Sequence, residues 1–273
     1  MYELPGTLTP QCRIRIGLDL GRTLVKDHFV TTHHRSPIHR WITAVRGGKW
    51  EFRTLATLLL VVSLILTFGL VANEMSAGET RAFDNAILLA MRNDANQKDP
   101  IGPRWFEEGV RDVTSLGSTT VLTIIVLATA GFLALSRARG AALLVLISVS
   151  GGAVLMHVLK LTFARVRPEI VSHSVVELTR SFPSGHSTLA AVTYLTLGAL
   201  VARVQSTRAR KMYVLFVAIV LTVLVGVSRV YLAMHWPTDV LAGWCLGAAW
   251  ALVCWMVAIE LQREGRVERQ IKS

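Results

Sequence analysis

From Thr54 onward the chain alternates between long apolar blocks and short polar connections. Six blocks stand out, at 54–72, 118–135, 141–159, 187–202, 212–227 and 240–259. A membrane-spanning helix needs roughly 20 predominantly apolar residues, and the blocks approach or meet that length. The fourth and fifth are short, and each is expected to gain a turn from flanking polar residues buried against protein rather than lipid. Only helices and closed barrels satisfy every backbone group within hydrocarbon. The economical fold is therefore all-α: a polytopic membrane protein with six transmembrane helices in a bundle. The expected organisation is a disordered cytoplasmic tail over 1–50, a six-span domain over 51–262 and a cytoplasmic tail over 263–273. The first apolar run follows some fifty polar, charged residues and is long enough to remain as an anchor rather than be cleaved as a signal peptide.

The largest outward connection, 73–117, carries two amphipathic stretches. Phe83, Ile87, Leu88 and Met91 mark the first; Trp105, Phe106, Val110 and Val113 mark the second. They predict two helices lying flat on the outer leaflet; a vestibule that guides a lipid headgroup toward the site is the sharper reading, compatible with the first. No polar pattern recurs between the two halves of the chain, which argues against a transporter built from repeats.

Composition supports the membrane reading. The chain is 52% hydrophobic with a mean hydropathy of +0.48. Its net charge of +11 raises the question of nucleic acid, but the placement of the basic residues excludes it. Nineteen of the 29 Lys and Arg fall before the first block, in the second and fourth connections (Arg137 and Arg139; Arg203, Arg208, Arg210 and Lys211) or after the last block. All these segments lie on one side of a six-span chain, and the positive-inside rule makes that side the cytoplasm. Cys12, Cys245 and Cys254 form no disulfide framework. His33, His34 and His39 lack a Cys or carboxylate partner at ligand spacing, so no metal site is expected there.

The chemistry lies in three short motifs at the opposite, outward ends of the blocks. Lys160 and Arg167-Pro168 end the third block. Basic residues there are commonly snorkelling anchors, but on the outward side they oppose the charge rule, and a phosphate supplies the reason. Pro183-Ser184-Gly185-His186 directly precedes the fourth block, where a helix N-terminus offers free amides to an anion, Gly185 permits close approach and Ser184 adds a hydroxyl. Alone, this would read as a capped turn. Ser228-Arg229 leads into His235 and Asp239, four residues apart, with Pro237 at the expected first position of the last helix. That spacing sets a carboxylate beside an imidazole, fixing the tautomer and leaving the other nitrogen to attack. Weaker candidates are His157, expected to face the bundle interior, and Asp112, Thr114, Gly117 and Ser118 before the second block. Arg165, Glu169, His173 and Arg180 share the loop between the first two motifs, where they would touch a headgroup or be solvated.

In order and spacing these three motifs closely resemble the signature of the type 2 phosphatidic acid phosphatase family, over roughly 107–259. The site also resembles that of soluble vanadate-dependent haloperoxidases, but six spans favour a lipid phosphatase. The resemblance implies that His235 is the nucleophile forming a phosphohistidine, oriented by Asp239, and that His186 protonates the leaving oxygen and then activates water. It implies that Lys160, Arg167, Ser184, Gly185 and Arg229 bind the phosphate, and that neither metal nor other cofactor is needed. The expected partner is a phosphorylated lipid of the outer leaflet of a bacterial inner membrane. Undecaprenyl diphosphate is the first expectation, followed by phosphatidylglycerol phosphate or phosphatidate, then lipid A phosphate; a lipid phosphotransferase would have the same site.

Overall fold

The computed structural model describes residues 37–163, 165–168, 170 and 180–263. Glu169, His173, residues 1–36 with His33 and His34, and residues 264–273 lie outside them. The chain divides into two units, Met1–Gly48 and Lys49–Ser273, and the second holds every element discussed below except the start of the first helix.

Among the described residues eight helices follow in order: α1 (Pro37–Ala77), α2 (Arg81–Ala90), α3 (Arg104–Ser115), α4 (Thr119–Leu135), α5 (Arg139–Thr162), α6 (Gly185–Val204), α7 (Arg208–Tyr231) and α8 (Pro237–Arg263). Five of these are individually long and apolar enough to cross a membrane, α1 from Phe52 onward together with α5 to α8. The pair α3 and α4, bent by 47°, supplies a sixth if taken as one span. The first block thus belongs to a longer helix, and both amphipathic stretches are helical. Between them lies an element the sequence did not announce: an antiparallel hairpin of β1 (Arg92–Asn93) and β2 (Asn96–Pro100).

The bundle carries its apolar residues outward. Leu59, Leu66, Ile124, Leu127, Phe132, Ile147, Phe216 and Ile219 are all exposed, which suits a hydrocarbon surround. Some hydroxyls within the spans bond their own helices: that of Thr67 donates to the Ser63 carbonyl, and that of Thr222 to the Ala218 carbonyl. His157 corrects an expectation. It sits on the exposed face of α5 rather than inside, because it lies roughly opposite the buried stripe of Val145, Ser148 and Gly152, about 140° around the helix from Gly152.

Helix α6 is the most enclosed span and packs chiefly on α7 and α8. Leu189, Ala190 and Tyr194 of α6 meet Leu122 of α4 and Ala218 and Val225 of α7. Small residues bring the backbones together, as is common between membrane helices. A Cβ on Gly243 would stand 2.9 Å from the Ser184 carbonyl oxygen, and one on Gly247 2.6 Å from that of Thr188. Cys245 and Cys254 are both free.

Helix α2 is docked rather than merely laid flat, since Leu88 is fully buried against Val230, Ala233 and Val240. Helix α3 buries none of its residues and leaves Trp105 72% exposed. The hairpin is seated by Arg92, whose guanidinium donates to the Tyr231 carbonyl, and the Tyr231 hydroxyl donates in turn to the Ile101 carbonyl at 2.6 Å.

Candidate active site

The three motifs meet where α5 and α7 end and α6 and α8 begin. Helix α7 closes on a turn in which the Met234 amide donates to the Arg229 carbonyl (2.9 Å) and the Ala233 amide to that of Val230 (2.9 Å). This is the Schellman arrangement, usually completed by glycine. Here Ala233 takes the left-handed conformation (φ 55°), at a cost of about 1 kcal/mol. The turn delivers His235, which is 1% exposed, directly ahead of α8.

Pro237 opens α8, and Asp239 lies in its first turn, fully buried. One carboxylate oxygen, Oδ2, stands 3.5 Å from His235 Nδ1 and accepts the Trp236 amide at 3.0 Å. Ser181 completes this arrangement. Its hydroxyl donates to Asp239 Oδ2 and lies 3.3 Å from His235 Nδ1. A proton on Nδ1 suits these neighbours and leaves the Nε2 lone pair for chemistry. Burial pushes the His235 imidazole down to about 3; Asp239 opposes the shift, while the Arg229 and Arg167 charges add to it. The neutral form that this favours is the one in which a histidine can act as a nucleophile.

The loop after α5 is laced onto the same turn. Arg167 donates to the Met234 carbonyl (2.9 Å), and the Trp236 indole donates to that of Val166 (2.9 Å). The P-S-G-H segment is tied in by backbone bonds, from the Ser184 amide to the Asp239 carbonyl (3.0 Å) and from the Ser181 amide to the Arg165 carbonyl (2.8 Å). Ser184 caps α6, its hydroxyl oxygen accepting from the Ser187 amide (3.5 Å) and hydroxyl (3.0 Å). Gly185 is the first helical residue, and a Cβ there would lie 3.8 Å from Lys160 Nζ. His186 follows, half-buried, within electrostatic range of Arg229, His235, Lys160 and Arg167. A Cβ on Gly117 would stand 3.4 Å from the His186 ring and 2.3 Å from Val225, so a glycine is required beside that imidazole. Thr114, in the same stretch, accepts from Arg229 at 3.4 Å.

All eight predicted site residues thus fall in one cluster. Ser181 had no signal beyond its place two residues ahead of Pro183. Asp84, which lay unnoticed in an amphipathic stretch, is fully buried and pairs with Arg165. Arg165 is no solvated loop residue, since it also pairs with Asp239 at 2.6 Å. Arg180 stays exposed and donates to the Leu161 carbonyl.

A family model for the PAP2 superfamily matches residues 139–263. Phosphatidylglycerophosphatase B of Bacillus subtilis is 36% identical over 188 residues, covering 68% of this chain and 88% of the relative. The chain belongs to the PAP2 superfamily. An undecaprenyl-diphosphatase of Sulfolobus acidocaldarius is 31% identical over 155 residues, covering 53% of this chain and 68% of that relative. A similar solved structure is the transmembrane PAP2-type phosphatidylglycerolphosphate phosphatase from Bacillus subtilis. It superposes with a TM-score of 0.63 at 28% identity, over 77% of this chain and 98% of that one. This PAP2 protein is accordingly a multi-pass membrane phosphatase, a hydrolase acting on phosphate esters.

The His235 environment has a stability consequence. Unfolded histidine takes up a proton near pH 6.5, whereas folded His235 does not until about 3. Its contribution is complete above the unfolded value and is lost as pH falls from there toward the folded one. Acidifying the detergent-solubilised protein from pH 7 to 4 is expected to lower Tm, and His235→Gln to lower it less. Equal acid-induced losses in the two proteins would contradict a buried neutral imidazole.

Proposed function

We propose that this PAP2 enzyme hydrolyses a phosphate or diphosphate lipid through a phosphohistidine on His235. The arrangement of Asp239 and Ser181 at Nδ1, with a neutral imidazole, is the observation that carries this reading. Nε2 of His235 attacks phosphorus as the bond from phosphorus to the lipid oxygen breaks, and His186 gives its proton to that oxygen. His186 then takes a proton from water, the water oxygen attacks phosphorus, the P–N bond breaks and phosphate departs. Lys160, Arg167 and Arg229, the Ser184 hydroxyl and the Gly185 amide bind the phosphate oxygens and the charge of the transition state. These three cations can supply the charge stabilisation that a metal ion gives in other phosphoryl transfers.

The site lies at the end of the bundle opposite Arg139 and Arg208, which begin α5 and α7. Applied to those charges, the positive-inside rule supports a site facing away from the cytoplasm, in a bacterial inner membrane. Undecaprenyl diphosphate is the first candidate substrate, favoured by the 31%-identical relative's name. Phosphatidylglycerol phosphate is the second, favoured by the longer match and by the solved structure.

Purified protein in detergent, supplied with both lipids, phosphatidate and lipid A in the presence of EDTA, is expected to release phosphate and to be inhibited by vanadate. Vanadate mimics five-coordinate phosphorus on His235. A strict Mg²⁺ requirement that ionic strength does not replace would overturn the metal-free mechanism, and the lipid turned over fastest identifies the substrate.

A further inference from the structure

We propose that Asp84, on the outer helix α2, is a positioning residue for the reaction. Together with Arg165 it forms a clamp that orients Asp239 toward His235 and keeps the carboxylate side of the imidazole net negative. The proposal rests on the reading that His235 attacks phosphorus.

Arg165 is the bridge, its side chain only 11% exposed. Nη1 donates to Asp239 Oδ1 (2.6 Å) and to the Thr238 hydroxyl (2.7 Å). Nη2 donates to Asp84 Oδ2 and to the Thr80 hydroxyl (3.3 Å), and the guanidinium lies over the Trp236 ring at 5.4 Å. Asp84 also holds the backbone beside the catalytic carboxylate, accepting from the Thr238 amide at 2.9 Å and the Thr238 hydroxyl at 2.7 Å. Arg165 thus takes the Asp239 oxygen that points away from His235, which leaves Oδ2 aligned with Nδ1.

Charge explains why a second carboxylate is needed. Arg165 with Asp239 alone would be a neutral pair and a poor partner for the positive charge that develops on His235 as it attacks. Two carboxylates around one guanidinium leave a net charge of about −1, and at these separations in a buried site such a charge acts strongly. A buried carboxylate without its cation would be costly, so each member of the trio requires the others.

The test compares kcat and KM for a short-chain phosphatidate in detergent micelles. Asp84→Asn keeps the shape and removes the charge. Its kcat is expected to fall about 10- to 100-fold with KM little changed. Arg165→Gln alone is expected to lower kcat, and because Asp84 acts through that bridge, adding Asp84→Asn to it is expected to cost less than about three-fold more. Independent roles predict additive losses, so a double variant slower than Arg165→Gln by the full Asp84→Asn factor overturns the clamp. So does Asp84→Asn with normal kcat. If Asp84→Asn yields no folded protein, Arg165→Lys decides. It keeps the charge without bridging two carboxylates, and is expected to lose kcat at unchanged KM; normal kcat there overturns the proposal. His235→Ala, assayed alongside, separates the two ideas. Turnover in that variant refutes the nucleophile itself, whereas its silence beside an unimpaired Asp84→Asn refutes the clamp alone.

Discussion

His235→Ala is expected to abolish phosphate release, by at least about 10⁴-fold, the scale on which loss of a nucleophile acts when its partners remain in place. The protein is expected to insert and fold, because His235 lies in the turn between α7 and α8 rather than within either helix. The bonds from Ala233 and Met234 that shape that turn are backbone bonds, which alanine leaves intact. Phosphate release by the purified variant, with elution volume and helical content as folding controls, is the measurement. Near-normal release would mean that another group attacks phosphorus.

Asp239→Asn is expected to cost about 10²- to 10⁴-fold in kcat while leaving KM near its original value. Both carboxylate oxygens are committed, Oδ1 to Arg165 and Oδ2 to Ser181, the Trp236 amide and the face of His235 Nδ1. An amide presents one NH₂ in place of an oxygen. Turned one way it opposes the Arg165 guanidinium; turned the other, it faces the Nδ1 proton and disfavours the reactive tautomer. Steady-state kinetics distinguish this from lost binding, since Lys160, Arg167 and Arg229 remain. A kcat within about three-fold of the parent enzyme would remove Asp239 from the orienting role proposed for it.

The spans and the motifs were legible because each depends on local signals. An apolar block needs only its own length to be recognised, and His235 and Asp239 are only four residues apart in the chain. Ser181 and Asp84 were not legible, because their roles arise from where α2 and the loop before α6 come to rest. Asp84 is separated from its Thr238 partner by 154 residues, and nothing in Phe83, Ile87 and Leu88 marks that contact. His157 was misread for a related reason: a polar residue in an apolar block signals interest but does not reveal which face of the helix it occupies. The hairpin escaped notice because β2 is polar throughout and has no alternating pattern to betray it.

The close seating of α6 on α8 also has a mechanical side. With Gly243 and Gly247 against the backbone of Ser184 and Thr188, these two helices have no compressible side-chain layer at that seam. The distance between the start of α6, which carries His186, and the start of α8, which follows His235, is thereby set by how closely two backbones approach. The rim is different, since α1 is the least enclosed of the five long spans and leaves Leu59, Leu66 and Leu70 on the outside. A single methyl at Gly243 or Gly247 would part the two helices and widen the site without touching any of its charged side chains.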